Sequence, residues 1–225
     1  NTLAIVIACG KEEELSAGTE TAFLTLGNKP LLAHSLGTLQ ASADIDKIII
    51  AVGKERTDAT MQVIKRFGFT KVCGIVVGGV NRLSTLRTIF AKLPEPASLF
   101  VVHEASRPFV TPGIIEETVK AAKRYGCAIA AHKLSDAVKI AAKGLKPERT
   151  IDRNSAWAAQ TPQVFRSEVL EKIVLSKSKN PKIVDDESEF VKAPAEVHLV
   201  ESGDRNMKIR TTSDLALATA LFNVK

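Results

Sequence analysis

The fold is decided by residues 3–36, LAIVIACGKEEELSAGTETAFLTLGNKPLLAHSL. Leu3 to Ala8 is an apolar run rich in β-branched residues, which is typical of a strand buried on both faces. Gly10 follows, where the chain must turn, and apolar residues at helical spacing begin after Lys29. This order predicts a strand, a loop and a helix, and ligands of open α/β sheets bind outside the carboxyl ends of the strands. We therefore expect a nucleotide, if one binds, at the loop from Ala8 to Phe23.

That loop has an unusual charge for a phosphate site. Phosphate cradles use backbone N–H groups, glycines and a basic residue. The loop offers Lys11, but Glu12 to Glu14 follow at once, and Glu20 comes later. Two like charges about 4 Å apart repel by roughly 4 kcal/mol at an effective dielectric near 20, so a triphosphate there would need a metal ion or a rearranged loop. The alternative is a solvated acidic surface segment, which most charge runs are.

The rest of the chain continues the alternation of strands and helices. Strands are predicted at 45–52, 72–77, 99–103, 127–131 and 197–200, and helices at 30–40, 57–67, 83–93, 112–125, 167–175, 185–191 and 212–222. Thr111 and Ser167 are candidate caps for two of these helices, and the last helix is expected to be capped near Ser213. Alternation of this kind predicts a parallel sheet with helices on both faces.

Between residues 132 and 156 the alternation breaks into a short two-stranded excursion. A hairpin with little apolar content cannot stand alone, and a second subunit is the obvious candidate to support it. We therefore expect one domain, 1–225, with an arm at about 132–156.

The composition excludes several classes of protein. The net charge is +6 and the pI about 9.2, but the basic residues are scattered and aromatic residues make up only 5%. This pattern argues against nucleic acid and fits an anionic small substrate such as a phosphate ester or nucleotide. No apolar run approaches the roughly 20 residues of a membrane helix, and the N-terminus lacks a signal layout, so we expect a cytoplasmic protein. Cys9, Cys73 and Cys127 lie too far apart to indicate a zinc site or a disulfide framework.

Two clusters of candidate site residues follow predicted strands. Gly78 and Gly79 permit close approach of a ligand, with Arg82 and Thr85 on the helix that follows, although a glycine turn with a surface arginine is an equal alternative. The second cluster is 103–108, HEASRP. A carboxylate after a buried strand can hold a divalent metal, and an arginine beside it can pair with a phosphate.

A third set of residues is weaker and lies in the second half of the chain. Asp152 and Arg153 could form only an exposed hairpin salt bridge, which contributes little to stability. The other members of this set are Asp136, Lys139, Asn154, Thr161, Pro162, Gln163 and Lys208.

Taken in order, these motifs resemble the 2-C-methyl-D-erythritol 4-phosphate cytidylyltransferase family, whose members make a CDP-alcohol and pyrophosphate from CTP and a sugar-alcohol phosphate. The resemblance runs from Ala4 to Phe222. The matching motifs are Gly78-Gly79-x-x-Arg82, the 103–108 segment, Asp152-Arg153-Asn154 with Trp157, Gln160-Thr161-Pro162-Gln163-x-Phe165, Asn206-Met207-Lys208 and Asp214-Leu215-Ala216-Leu217-Ala218. The resemblance implies a Rossmann-like domain, magnesium, a role in isoprenoid biosynthesis, and a homodimer made by the protruding β-arm.

The resemblance also implies roles for individual residues. Glu104 stands for the family's magnesium-binding aspartate, and Lys11, Glu104 and Lys208 are the implied catalytic residues. The nucleotide would be contacted by Ala8, Cys9 and Gly10, with Gly79, Arg82 and Thr85 at its base and ribose. The substrate would be held by Arg107, Asp136, Thr161 and Lys208, together with Arg153 of the partner subunit.

The chain departs from the family pattern in the first loop. Aligned without gaps, Glu12 stands at the family's glycine, Glu14 at its arginine, and Glu20-Thr21-Ala22 at its Pro-Lys-Gln, while Ala137 replaces a threonine of the arm. Losing one preorganised charge contact commonly costs on the order of 3 kcal/mol of transition-state stabilisation. A relative that binds a nucleotide or sugar phosphate without turnover, or serves as a partner subunit, is therefore a second hypothesis. A nucleic-acid binder is a third, resting only on net charge.

Overall fold

The computed structural model describes residues 1–10, 14–16, 19–93, 96–141, 145–175 and 187–224. Lys11 lies outside these residues. The strands are β1 Thr2–Ala8, β2 Glu14–Ser16, β3 Thr19–Glu20, β4 Thr25–Leu26, β5 Lys29–Pro30, β6 Lys47–Val52, β7 Val72–Val77, β8 Leu99–Glu104, β9 Gly126–Lys133, β10 Val138–Ile140, β11 Arg149–Ile151, β12 Trp157–Arg166 and β13 Glu196–Glu201. The α-helices are α1 Leu31–Ala41, α2 Thr57–Phe67, α3 Arg82–Phe90, α4 Pro112–Tyr125, α5 Ser167–Val174 and α6 Thr212–Asn223.

The main sheet has seven strands in the order β13-β9-β12-β8-β1-β6-β7. β1 pairs in parallel with both β6 and β8, β6 with β7, and β9 with β13. β12 lies between β8 and β9 and runs antiparallel to both. The mostly parallel sheet predicted from the sequence is therefore confirmed, with β12 as an antiparallel strand that the sequence patterns did not predict.

Helices cover both faces of this sheet, as predicted. All seven residues of β1 are buried, and their side chains alternate between two cores. Ala4, Val6 and Ala8 belong to the core beneath α1 and α4, whereas Leu3, Ile5 and Ile7 belong to the core beneath α3 and α5. Burying an Ile or Leu side chain is worth about 1.5–3 kcal/mol, so this strand contributes to both cores at once.

The helix caps agree with the sequence in two of three cases. The Thr111 hydroxyl accepts a hydrogen bond from the Ile114 N–H at 3.3 Å, which confirms that cap. A cap near Ser213 is present two residues earlier, where the Thr211 hydroxyl accepts from the Asp214 N–H at 3.1 Å and caps α6. The Ser167 assignment is wrong, because Ser167 is the first residue of α5 and its N-cap residue makes no side-chain cap hydrogen bond.

The arm begins at the end of β9 and returns to the sheet at β12. β10 and β11 form a separate antiparallel pair in which Val138 lies opposite Ile151 and Ile140 opposite Arg149. Most of the described residues between 135 and 155 are exposed. The predicted hairpin is thus present, and its role in dimerisation stays a prediction.

Among the described residues, no helix is both long enough and apolar enough to cross a lipid bilayer. The cytoplasmic location stays a prediction.

Candidate active site

The strand register brings the predicted site residues to one edge of the sheet. Ile7 of β1 lies opposite Glu104, and Ala8 lies opposite Val52 of β6. Val52 lies opposite Val77, the last residue of β7. The loop after β1, the Gly78 turn and the segment after β8 therefore leave the sheet side by side, where ligands of open α/β sheets bind.

Glu104 is at the centre of a buried charge cluster at this edge. Its Oε2 lies 2.7 Å from Arg107 Nε and its Oε1 lies 2.8 Å from Lys208 Nζ. The three side chains are only 12%, 10% and 10% exposed. Burial alone would raise the pKa of the Glu104 carboxyl, but Arg107, Lys208 and Arg82 together hold that pKa well below its usual range. Two cations thus share one ionised carboxylate, and the cluster can accept a further anion.

Thr161 and His103 form hydrogen bonds with each other and with the main chain of the segment that carries Glu104 and Arg107. The Thr161 hydroxyl accepts from the Glu104 N–H at 3.1 Å and lies 3.0 Å from His103 Nδ1. His103 Nε2 lies 3.2 Å from the Arg107 carbonyl oxygen, which can only accept, so Nε2 carries the proton and Nδ1 accepts from Thr161. Burial lowers the pKa of His103 to about 4, which keeps the ring neutral. In this structure the partners of the Thr161 hydroxyl are internal, and its contact with a substrate phosphate stays a prediction.

Asn206 positions the segment that carries Lys208. Its side-chain amide donates to Gln160 Oε1 and to the Thr161 carbonyl, both at 2.8 Å, and its main-chain carbonyl accepts from Arg107 Nη1 at 3.0 Å. Both Asn206 and Gln160 are buried. Both residues stand within the quoted motifs, but no pattern in the sequence assigns them a function. The structure shows that they join β12 to the loop before α6.

The two glycines after β7 are required by packing within the turn. A Cβ on Gly78 would collide with Cys9 Sγ, and one on Gly79 would collide with Ser84 Oγ. The Thr85 hydroxyl donates to the Asn81 carbonyl at 2.9 Å and accepts from the Gly79 N–H at 3.0 Å. Thr85 is 1% exposed. Its hydroxyl therefore stabilises the turn, and the ligand contact implied by the resemblance stays a prediction.

Arg82 is fixed by two polar partners on the face of α3 that points toward β12. Its Nε lies 2.6 Å from Glu187 Oε2, and its Nη2 donates to Gln163 Oε1 at 2.6 Å. Arg82 and Glu187 side chains are 15% and 4% exposed. Arg82 is therefore not the surface arginine of the alternative interpretation. Glu187 lies 105 residues away in the chain, and no sequence pattern predicts its contact with Arg82.

The first loop has a different construction from the family pattern. Thr21, aligned with the family's lysine, is fully buried, and its hydroxyl has no hydrogen-bond partner in the described part of the chain. Glu20 forms an ion pair with Arg56, whose guanidinium lies 5.2 Å from the centre of the Phe23 ring. The backbone of Glu14 pairs with that of Glu20. A lysine at position 21 would have to leave the core before it could reach a phosphate.

Asp136 and Arg153, two of the predicted substrate-binding residues, lie in the arm. Arg153 Nη1 donates to the Ser135 carbonyl at 3.1 Å. Asp136 lines a cavity of about 370 Å³ together with Glu201 and Asp204. No hydrogen bond or ion pair between described residues of one chain joins Asp136 or Arg153 to the Glu104 cluster.

The side chains that the structure describes do not form a complete metal site at this edge. In the described ranges no three His, Cys, Asp or Glu side chains come together as a ligand set. Glu104 is the carboxylate of the cluster, and both of its oxygens are in ion pairs. Mg²⁺ is commonly bound by one or two carboxylates together with substrate phosphates. Glu104 fits that pattern only if a bound nucleotide supplies the remaining ligands.

A parallel sheet with cations gathered around a carboxylate at its carboxyl edge defines an α/β protein of the nucleotide-binding class. Comparison with known proteins then gives the family, because the model described as "2-C-methyl-D-erythritol 4-phosphate cytidylyltransferase" matches residues 2–224. The chain belongs to the 2-C-methyl-D-erythritol 4-phosphate cytidylyltransferase family.

Individual relatives support this membership. The family's protein from Geobacillus kaustophilus is 34% identical over 223 residues, covering 99% of this chain and 97% of the relative. That from Alkaliphilus metalliredigens is 30% identical over 221 residues, covering 97% and 92%. A bifunctional IspD/IspF enzyme from Desulforudis audaxviator is 34% identical over 224 residues, and this chain, 99% of which is covered, spans 57% of its length.

The fold comparison agrees with the sequence comparison. The 4-diphosphocytidyl-2C-methyl-D-erythritol synthase of Anaerococcus prevotii has a TM-score of 0.86 and is 24% identical, covering 98% of this chain and 95% of the other. At that identity the likeness shows the fold alone.

Proposed function

We propose that this chain transfers a cytidylyl group from CTP to 2-C-methyl-D-erythritol 4-phosphate. A phosphate oxygen of the sugar alcohol would attack the α-phosphorus of CTP, and the bond from that phosphorus to its β-bridging oxygen would break. The products would be the CDP-alcohol and pyrophosphate. The observation that carries this proposal is the cluster of Glu104, Arg107 and Lys208 at the carboxyl edge of the sheet.

The cluster suits this reaction because the two substrates repel each other. A phosphate monoester must approach a triphosphate, and phosphoryl transfer depends mainly on positioning and on stabilising negative charge. Arg107 and Lys208 are held in place by Glu104, so their charges need little reorganisation when an anion arrives. In our proposal Lys208 and Arg107 bind the phosphate of the sugar alcohol.

The nucleotide is proposed to lie over the loop after β1. Backbone N–H groups of Cys9 and Gly10 would face its phosphates, and the Gly79 turn with Arg82 would face the base and ribose. Lys11 is the basic residue that this loop retains, and we propose that it meets the leaving pyrophosphate.

We propose that a divalent cation, Mg²⁺, completes the charge balance. Glu104 would hold it together with phosphate oxygens of the nucleotide. When bound, the ion would neutralise charge on the phosphates and on the departing pyrophosphate.

The first experiment measures pyrophosphate release by the full chain with CTP, Mg²⁺ and 2-C-methyl-D-erythritol 4-phosphate. We expect turnover, and Lys208→Ala should lower kcat/KM by on the order of a hundredfold or more. Lys65→Ala, which removes an exposed lysine from α2, is the matched control and should leave the rate unchanged. Turnover that is equal in both variants would contradict the proposed role of the cluster.

The hypothesis of binding without turnover predicts a different result in the same samples. Calorimetry would then detect CTP binding while no pyrophosphate is released. Glu14→Arg would separate the causes, since activity gained by that change would locate the defect in the first loop.

We further propose that two copies of the chain join through the arm and that the partner's Arg153 and the partner's Asp136 complete each site. An exposed hairpin with little apolar content supports this, since such hairpins need a partner. The test mixes inactive Arg153→Ala protein with inactive Lys208→Ala protein under exchange conditions. Half of the dimers should then be mixed, each with one intact site, which restores about a quarter of the wild-type activity. No recovery in demonstrably mixed dimers would place Arg153 in the site of its own chain.

A further inference from the structure

A second cavity lies at the opposite edge of the sheet from the Glu104 cluster. Its volume is about 630 Å³, within the usual range of small-molecule sites. Arg166, the last residue of β12, lines this cavity and pairs with Leu99, the first residue of β8, whereas Glu104 is the last residue of β8. Five residue steps along a strand span about 17 Å, so the Arg166 end of this cavity lies well away from the Glu104 cluster.

The floor of the cavity is apolar and belongs to the core beneath α3 and α5. Leu83, Val169 and Val191 pack partly buried against that core, and Ile173 is 6% exposed. Phe190 also lines the cavity. These side chains come from α3, from α5 and from the segment before β13, so the floor is built by elements distant in sequence.

The rim of the cavity is strongly cationic. The described lining contains five basic side chains, Arg87, Arg124, Arg166, Lys172 and Lys192, and Glu168 is its only carboxylate. Arg87 Nε donates to the Val174 carbonyl at 2.9 Å, and Arg166 Nη2 lies 3.4 Å from the Arg124 carbonyl. Glu168 is 60% exposed and lies 3.9 Å from Arg166 Nη1, so it screens the rim only weakly.

Basic side chains that surround an apolar floor repel one another and concentrate anions. Backbone carbonyls accept hydrogen bonds from the guanidinium groups of Arg87 and Arg166 and so orient them. A ligand with both an anionic group and an apolar body would satisfy the rim and the floor together. A polar anion would leave the floor in contact with water, and a neutral apolar molecule would leave the repulsion in place.

We propose that this cavity binds an amphipathic organic anion, in which a phosphate, sulfonate or carboxylate group is joined to an apolar body. The anionic group lies against the basic rim, and the apolar body lies on the floor formed by Leu83, Val169 and Ile173. Nothing in the proposed cytidylyl transfer requires this site, so the two proposals succeed or fail independently.

The test titrates the full chain with 1-anilinonaphthalene-8-sulfonate, an anionic aromatic probe whose fluorescence rises in apolar surroundings. We expect saturable binding of one probe molecule per chain. Octyl phosphate, below its micelle concentration, should displace the probe, while octyltrimethylammonium and inorganic phosphate should not. Displacement by the cationic detergent would refute the charge requirement, and equal displacement by inorganic phosphate would refute the use of the apolar floor.

Charge-reversal variants locate the bound probe. Lys172→Glu combined with Lys192→Glu should weaken probe binding by about tenfold or more, since two rim cations become anions. The matched control, Lys54→Glu combined with Lys65→Glu, reverses two exposed lysines outside the cavity lining and should bind the probe as the wild type does. All four substituted residues are exposed, and circular dichroism confirms that each variant is folded. Equal affinity in the two double variants would overturn the proposal.

Discussion

Replacing Glu104 with glutamine should destabilise the protein more than replacing either cation that contacts it. The carboxylate accepts from Arg107 Nε at 2.7 Å and from Lys208 Nζ at 2.8 Å, and all three side chains are about nine-tenths buried. Glu104→Gln keeps the shape of the side chain and removes its charge. Two poorly hydrated cations then lose the carboxylate that joins them.

The expected loss of stability differs because Glu104 is the anion of the cluster, whereas Arg107 and Lys208 are two cations that share it. Removing one partner of a buried ion pair costs about 3–5 kcal/mol, because a charge stays buried without compensation. Lys208→Met leaves Glu104 paired with Arg107, so we expect it to cost only about 1–2 kcal/mol. The double variant, Glu104→Gln with Lys208→Met, should lose less unfolding free energy than the sum of the two single variants, with an interaction energy of about 1–3 kcal/mol.

The assay is urea unfolding followed by circular dichroism at one fixed protein concentration, repeated from pH 7 to pH 3. The pKa of Glu104 is depressed in the folded state, so its stabilising contribution is complete above the ordinary carboxyl pKa of about 4.3 and declines as the pH falls below it. The difference in unfolding free energy between the wild type and Glu104→Gln should therefore shrink in acid. Equal losses in Glu104→Gln and Lys208→Met, or a difference that does not change with pH, would refute this account of the cluster.

Three further substitutions test the supporting structure. Thr161→Val leaves the Glu104 N–H without its acceptor and should lower the free energy of unfolding by about 1–3 kcal/mol, with a fall in kcat/KM, whereas Thr161→Ser should retain both values. Thr21→Val removes a buried hydroxyl that has no described partner, so the melting temperature should rise, by an amount equivalent to about 1 kcal/mol, and a fall would reveal a partner. Gly78→Ala should cost about 1–3 kcal/mol, because its methyl group meets a side chain, while Gly113→Ala, which meets open space in α4, should be neutral or stabilising in the same urea assay.

The sequence predicted the helices and strands that are specified by residues close together in the chain. The bounds predicted for the helix at 57–67 and the helix at 112–125 are those observed, because apolar periodicity and the Thr111 cap act within a few residues. β12 was missed because Gln160, Thr161 and Pro162 interrupt the apolar alternation. That strand is formed by pairing with β8 and β9 on its two sides, which a local pattern cannot express.

In the candidate site, too, single residues could be predicted from the sequence, whereas contacts between distant residues could not. Glu104, Arg107 and Lys208 were each singled out by residue type and position after a strand or in a motif. Their mutual contacts could not be predicted, since Lys208 reaches Glu104 across 104 residues of sequence. Glu187 was missed altogether, because a single glutamate in a polar stretch carries no signal until the fold places it beside Arg82.

The place of β12 in the sheet also sets the order in which the protein can be assembled. The strands β8, β1, β6 and β7 are adjacent and lie within the first 104 residues, so half of the sheet can form while the rest of the chain is still being synthesised. β9 follows in sequence but pairs only with β12 and β13, and it must wait for both. Long-range pairings of this kind slow folding, because loop closure precedes any gain from contacts. The nascent chain therefore acquires the turn after β1 early, and it acquires Thr161 and Lys208, which complete the charge cluster, only later in its synthesis.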